Sequence, residues 1–287
     1  MSSTRTGGFG IGFRRGGGQW QKDLAGLIDW AKANEFECLD VGGVEAVTQI
    51  SKAGLAVGSA DLADGRGMIS PDKARREQAV AANREYIRAC TGTARNFFTV
   101  MLPEKPELPR AESFEFMVES YAQLVGPLEE AGGRIVIEGW PGPGALCCTP
   151  ETVRELFRRV PSPAMGLNYD PSHLIRMGID PLRFLAEFAP RIGHVHGKDT
   201  ELLAERQFDL GTEQPATFAK GIAFGGTHWR YTIPGHGQMR WGKAFEMLAA
   251  AGYDGFVSIE LEDANFNGSE EGEKQGLLLG RRFLEGC

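Results

Sequence analysis

Four short segments of this 287-residue chain set carboxylates and imidazoles where strands are expected to end. They are RIVIEGWPG with Glu138, MGLNYDPSHL with Asp170 and His173, IGHVHGKDT with His194 and His196, and FVSIELED with Glu260. All five histidines (His173, His194, His196, His228 and His236) fall in one stretch, although scatter over the whole chain was open to them. A single Glu or Asp at a strand end is ordinarily a helix cap or a loop ion pair, and a lone His is ordinarily a hydrogen-bonded structural residue. Three carboxylates and an imidazole converging from four strand ends are different, because carboxylates crowded into a partly desolvated pocket repel one another. A divalent cation removes that conflict. Mostly oxygen donors with one nitrogen suit Mn2+, Mg2+ or Co2+ better than a structural zinc.

The elements that must position these residues follow from the hydrophobic pattern. Short β-branched or aromatic runs alternate with stretches of helical period along the whole chain. Strands are expected near Gly10–Phe13, Glu37–Val41, Leu55–Ala60, Asn96–Met101, Arg134–Glu138, Ala164–Tyr169, Arg191–His196 and Gly255–Leu261. Between them, Trp20, Leu24, Leu27, Ile28 and Ala31 form one apolar stripe, and Phe114, Met117, Val118, Tyr121, Val125 and Leu128 form another. Ser70-Pro71, Thr149-Pro150 and Asp180-Pro181 read as helix starts, each an oxygen-bearing cap followed by proline at the first helical position. Eight such units with no linker or composition break point to a single (β/α)8 barrel domain over residues 1–287. A doubly wound open sheet is the alternative. The Gly8-Phe-Gly10-Ile-Gly12 run lies at the start of the first strand, which is the wrong place for a dinucleotide loop. In a barrel, chemistry belongs at the carboxyl ends of the strands, where the four segments fall.

Composition narrows the classes further. With 42% hydrophobic and 24% charged residues the chain reads as globular, and its formal charge of −7 gives no general attraction to nucleic acid. No apolar run is long enough for a membrane span, and the Gly- and Arg-rich start does not resemble a signal peptide. The five cysteines (Cys38, Cys90, Cys147, Cys148 and Cys287) contain no CxxC pair, so a disulfide framework and a zinc ribbon are not expected and a reducing cytoplasm is.

The series IEGWPG, GLNYDPSHL, HVHGKDT, RYTIPGHGQMRW and GYDGFVSIELED resembles the xylose-isomerase-like TIM-barrel superfamily, in its sugar-phosphate isomerase/epimerase branch. The resemblance is specific over about residues 134–263 and rests only on the βα rhythm before that. It implies one divalent metal, Mn2+ foremost, held by Glu138, Asp170, His196 and Glu260, with the two glutamates also moving protons. It further implies that His173 and an arginine of the late loop, Arg230 or else Arg240, contact the oxygens of a small sugar. Trp140 and Lys198 are expected to line the same substrate. The implied reaction is isomerisation or epimerisation of a keto-sugar or related polyol. A cation chelating the carbonyl would stabilise the enediolate, and Glu138 and Glu260 would serve its two faces.

Residues 197–240 form a stretch far longer than an ordinary βα loop, carrying Phe218, Phe224, Trp229, Tyr231, His228 and His236. A lid, a contact between copies of the chain and a surface excursion packed on itself all fit it. Rival chemistries remain open. A lyase or dehydratase acting on an inosose or 3-keto glycoside would use the same metal site. An endonuclease IV-type phosphodiesterase needs further histidines, where this chain has Val41-Gly42-Gly43, Ala60-Asp61-Leu62 and His228-Trp229-Arg230. A Schiff-base aldolase would use Lys198, although Lys198-Asp199 reads better as an ion pair. Arg14-Arg15 before Gly16-Gly17-Gly18 fits a phosphate or a solvated turn, and the reading leans against a phosphosugar.

Overall fold

The computed structural model describes residues 8–287. Eight parallel strands close into a barrel: β1 (Ile11–Arg14), β2 (Cys38–Gly42), β3 (Ala56–Asp61), β4 (Asn96–Val100), β5 (Arg134–Glu138), β6 (Met165–Tyr169), β7 (Ile192–Gly197) and β10 (Val257–Ile259). Their order around the barrel is β1-β10-β7-β6-β5-β4-β3-β2. Two further strands, β8 (Asp199–Leu202) and β9 (Trp229–Thr232), pair antiparallel as a separate hairpin. The helices are α1 (Leu24–Ala33), α2 (Val44–Lys52), α3 (Lys73–Ala89), α4 (Arg110–Ala122), α5 (Val125–Glu130) and α6 (Pro150–Arg159). They continue with α7 (Pro171–Arg176), α8 (Pro181–Phe188), α9 (Ala204–Leu210), α10 (Trp241–Ala250) and α11 (Glu270–Glu285).

By contact the chain falls into two compact units: one takes the chain up to Cys38 with Asp170–Ala189 and His196–Cys287, the other Leu39–Tyr169 with Pro190–Val195. In the first, β1 runs alongside β10 with Ile11 opposite Val257 and Phe13 opposite Ile259. Its core is aromatic: Phe9 meets Phe245 and Tyr253 edge-on at 5.2 and 5.3 Å, and Phe13 meets Phe36 at 4.8 Å. Gly12 is required by close approach, because a Cβ there would strike the Cys38 thiol and carbonyl. In the second unit, β4, β5 and β6 are in unbroken register, with Val100 opposite Glu138 and Glu138 opposite Asn168. Ile135, Val136 and Ile137 are all fully buried, the continuous apolar run of a strand covered on both faces.

Every expected strand is present, and β5 has the expected limits. The helices differ in three places. Trp20 belongs to a short 3-10 turn, Gln19–Gln21, ahead of α1. The stripe from Phe114 to Leu128 is two helices, because Pro127 lacks the N–H that would bond four residues back and its ring crowds that carbonyl. The Ser70-Pro71 start is displaced: Asp72 is the cap of α3, its Oδ1 accepting from the Ala74 N–H at 2.9 Å. Pro150 and Pro181 do open their helices, and Asp180 accepts from the Leu182 and Arg183 N–H groups. The 197–240 stretch is not an unstructured loop, since β8, α9 and β9 lie within it. Cross-strand pairs such as Glu201 opposite Arg230 give its ends the alternation of a hairpin.

Candidate active site

Asp170 stands immediately after β6 and caps α7: its Oδ1 accepts from the Ser172 N–H at 2.9 Å and the Ser172 hydroxyl at 2.6 Å. Its second oxygen is buried without a hydrogen bond. That oxygen lies 3.3 Å from both His173 Nε2 and Lys198 Nζ. His173, one turn along α7, is fixed from behind by the Tyr231 hydroxyl at 2.7 Å from Nδ1. Burial raises the Tyr231 pKa against the opposing pull of Lys198 and Arg176, so the phenol keeps its proton. A phenol donating to Nδ1 leaves the proton of a neutral imidazole on Nε2, the atom that faces Asp170.

Glu260 follows β10 and is the exposed edge of the group. Its Oε2 lies 3.5 Å from His196 Nδ1 at the end of β7, and its Oε1 lies 3.4 Å from Arg14 Nε. Lys198, only 1% exposed, places its ammonium against Glu260, at 3.0 Å from Glu262 Oε2 and over the Tyr231 ring at 4.5 Å. Three carboxylates surround this ammonium, whereas a Schiff base requires an amine free to attack a carbonyl. The expected Lys198–Asp199 pairing is replaced by separate roles. Lys198 lies between β7 and β8, and Asp199 opens β8. Asp199 takes the Thr200, Met239 and Gly235 N–H groups and the Trp241 indole N–H, at 2.8 to 3.3 Å. Burial, outweighing these donors, holds the Asp199 carboxyl above its ordinary range.

Glu138 ends β5, buried, and its Oε2 accepts from Asn168 Nδ2 at 2.9 Å. Within the first unit, one ligand atom each from Asp170, His173 and Glu260 lies within 4.8 Å of the others. Within the second, His194 Nε2 meets Asp40 Oδ2 at 2.8 Å. The group of the first unit therefore contains two of the expected carboxylates, Asp170 and Glu260, with His173, while the expected ligand His196 approaches through Glu260. A buried Asp170 oxygen lacking a hydrogen bond, beside the half-buried Glu260 and an imidazole, is a donor set that fits a hard divalent cation.

The remaining expected residues are placed differently. Arg230 is engaged across the hairpin, with Nε 2.6 Å from Glu201 Oε2 and Nη1 3.4 Å from Asp263 Oδ1. Arg240 is exposed at the start of α10, and Trp140 is half-buried just after β5. Sequence reasoning passed over Glu262, Asn168 and Asp40. Glu262 carried a signal, since it stands two residues beyond Glu260 and so shares its side of an extended chain. Asn168 and Asp40 carried none, because each is defined by a partner distant in sequence.

No helix among the described residues is long and apolar enough to cross a membrane, and the five cysteines are free thiols. Over 151 residues the chain is 37% identical to the uncharacterized protein YfiH of Bacillus subtilis (strain 168), covering 50% of this chain and 45% of that protein. Over 164 residues it is 29% identical to the inosose dehydratase of Geobacillus thermodenitrificans (strain NG80-2), covering 57% of this chain and 52% of that enzyme. The matched stretch thus spans about half the length of these curated relatives. The fold is shared with 3-keto-D-glucoside 4-epimerase, YcjR, from E. coli, at a TM-score of 0.69 and 14% identity over 97% of this chain and 100% of that one. The family described as Xylose isomerase-like TIM barrel matches residues 26–285, nearly the whole described chain. With eight parallel strands closed in a ring and this match over nearly its whole described length, the chain belongs to the xylose isomerase-like TIM barrel family.

Proposed function

We propose that this protein is a divalent-metal-dependent isomerase or epimerase of a keto-sugar or related polyol. The observation that carries the reading is the gathering of Asp170, His173 and Glu260 within one unit, with His196 Nδ1 3.5 Å from Glu260. Glu138, Asp170, His196 and Glu260 would hold the ion, with Mn2+ the best match. When bound, it supplies Lewis-acid polarisation of the substrate's carbonyl and adjacent hydroxyl. His173, with its ring fixed by Tyr231 and Nε2 bearing the proton, donates a hydrogen bond to a substrate oxygen. Lys198 offsets the charge on Asp170 and Glu260 and orients both. Glu138 and Glu260 move the proton on the carbon beside the carbonyl. Removal by one and return by the other inverts that carbon, whereas return by the same residue to the neighbouring carbon interconverts aldose and ketose. The names of the two relatives support the reading, since inosose dehydratase and 3-keto-D-glucoside 4-epimerase both denote substrates with a ketone.

The test is incubation of the Mn2+-loaded protein with keto-sugars, inososes and 3-keto glycosides in deuterated water, with products read by NMR. Deuterium incorporated beside the carbonyl without loss of any group is the expected result. An unsaturated product replaces the reading with elimination, and undiminished activity in a verified metal-free sample removes the metal from it.

A further inference from the structure

Beside Glu260, within the unit that carries β1, β9 and β10, the surface folds in to a cavity of about 490 Å3 walled by Arg14, Gly17, Phe224, Glu260, Glu262 and Asn267. A hexose is six carbon–oxygen units, each displacing roughly one water's share of ~30 Å3, or about 180 Å3 in all. A sugar whose reacting carbons meet Glu260 therefore leaves room for a second ring of similar size.

One wall is shaped for that ring. Phe224 is 40% exposed and sits at φ +55°, a left-handed conformation that a bulky side chain rarely adopts. The surrounding turn holds it there. The Tyr231 N–H donates to the Phe224 carbonyl at 2.8 Å, the Ile222 N–H to the Gly226 carbonyl at 3.0 Å and the Gly226 N–H to the Trp229 carbonyl at 2.9 Å. Strain of this kind persists where its surroundings over-determine it, and it collects at ligand sites. The same Tyr231 fixes His173, so the turn and the reacting group share a support. Phe208 and Phe218 are more exposed, at 87% and 95%, yet neither lines the cavity. An aromatic flank with Arg14, Glu262 and Asn267 around it suits a ring with an apolar face and a hydroxyl rim.

We propose that this cavity is a subsite for a second ring joined to the reacting sugar, with Phe224 as its stacking wall. The substrate class is then a glycoside or similar two-ring compound, not a free monosaccharide. This rests on the reading of Glu260 as a reacting group, so the test reads binding separately from turnover. Calorimetric titration of the Mn2+-loaded protein compares glucose with cellobiose, trehalose and phenyl glucoside. At least one two-ring probe should bind about tenfold or more tighter than glucose, the scale of one aromatic contact. Phe224→Ala should bring that probe to within about threefold of glucose. Phe224→Trp should retain the preference, and Phe208→Ala should leave it unchanged. The proposal is overturned if no two-ring probe binds more tightly than glucose, or if Phe224→Ala keeps the preference. If the preference holds while no probe or keto-sugar exchanges deuterium, the subsite stands and the isomerase reading falls.

Discussion

Two sets of acids lie within the same unit of this barrel, and apart from the Ser172 donors on Asp170 Oδ1 they are satisfied in different ways. Asp199 and Asp263 face mainly fixed donors. The first accepts from three backbone N–H groups and an indole, the second from the Ile233 and Asn265 N–H groups, with Arg230 at 3.4 Å. Asp170 and Glu260 instead share the movable ammonium of Lys198 and face imidazoles. Backbone donors are part of the fold and cannot be traded for a ligand without unfolding a turn. A side-chain cation can withdraw as a metal or substrate arrives. The difference separates carboxylates tied into the hairpin by its backbone from carboxylates that face side-chain cations and imidazoles, although burial alone would rank Asp199 and Asp170 together.

The largest effect expected is on turnover. Glu138→Gln and Glu260→Gln keep volume and one acceptor oxygen but remove a proton acceptor. Each should cut turnover by roughly 10²–10⁴-fold while leaving the melting temperature close to wild type. Turnover should not recover as Mn2+ is raised to wild-type occupancy, and each variant should still exchange the α-hydrogen of one epimer with deuterated solvent. Exchange from both epimers, or recovery at full occupancy, breaks the assignment of these glutamates as movers of protons.

Lys198→Met sharpens the comparison by removing the movable cation. In chelator the variant should be less stable than wild type by on the order of 3 kcal/mol, because Asp170, Glu260 and Glu262 lose the ammonium they share and Arg14 remains beside Glu260 alone. Added Mn2+ should restore more stability to the variant than to wild type. Equal melting of the two chelated proteins would show that the ammonium does not balance these carboxylates.

Asp199→Asn tests the other set and should cost about 1–3 kcal/mol, because its amide turns a donor toward the Gly235 and Trp241 N–H groups. Burial raises the folded pKa of Asp199 above the ordinary 3.8. The contribution of this carboxyl is thus fully present below 3.8 and is lost as pH rises through the folded value. The stability gap between wild type and Asp199→Asn should be widest below pH 3.8 and narrow above it. A gap that widens with pH would mean that the four donors outweigh burial.

Much of the fold was legible because its signals are local. Ile135, Val136 and Ile137 announce β5 by side-chain shape and run length, and Asp180-Pro181 announces α8 because the cap and the proline act within one turn. The misread places were also local but involved competing signals. Pro127 overrides an apolar stripe that continues across it, and Asp72 outcompetes Ser70 as the cap of α3. Along β7, the alternation of strand side chains sets His194 and His196 on one face.

By itself the sequence determined that a barrel forms and that Glu138, Asp170 and Glu260 each stand at a strand end, because the strand period and the βα rhythm carry them there. Only the tertiary structure decided what surrounds them. The partners of Lys198 stand up to 64 residues away. The imidazole of His173 is oriented by a phenol 58 residues on, and Phe224 reaches the cavity through a turn closed by β9. Such neighbours are chosen by chain closure and by the cost of burying charge without a partner, which no local pattern encodes.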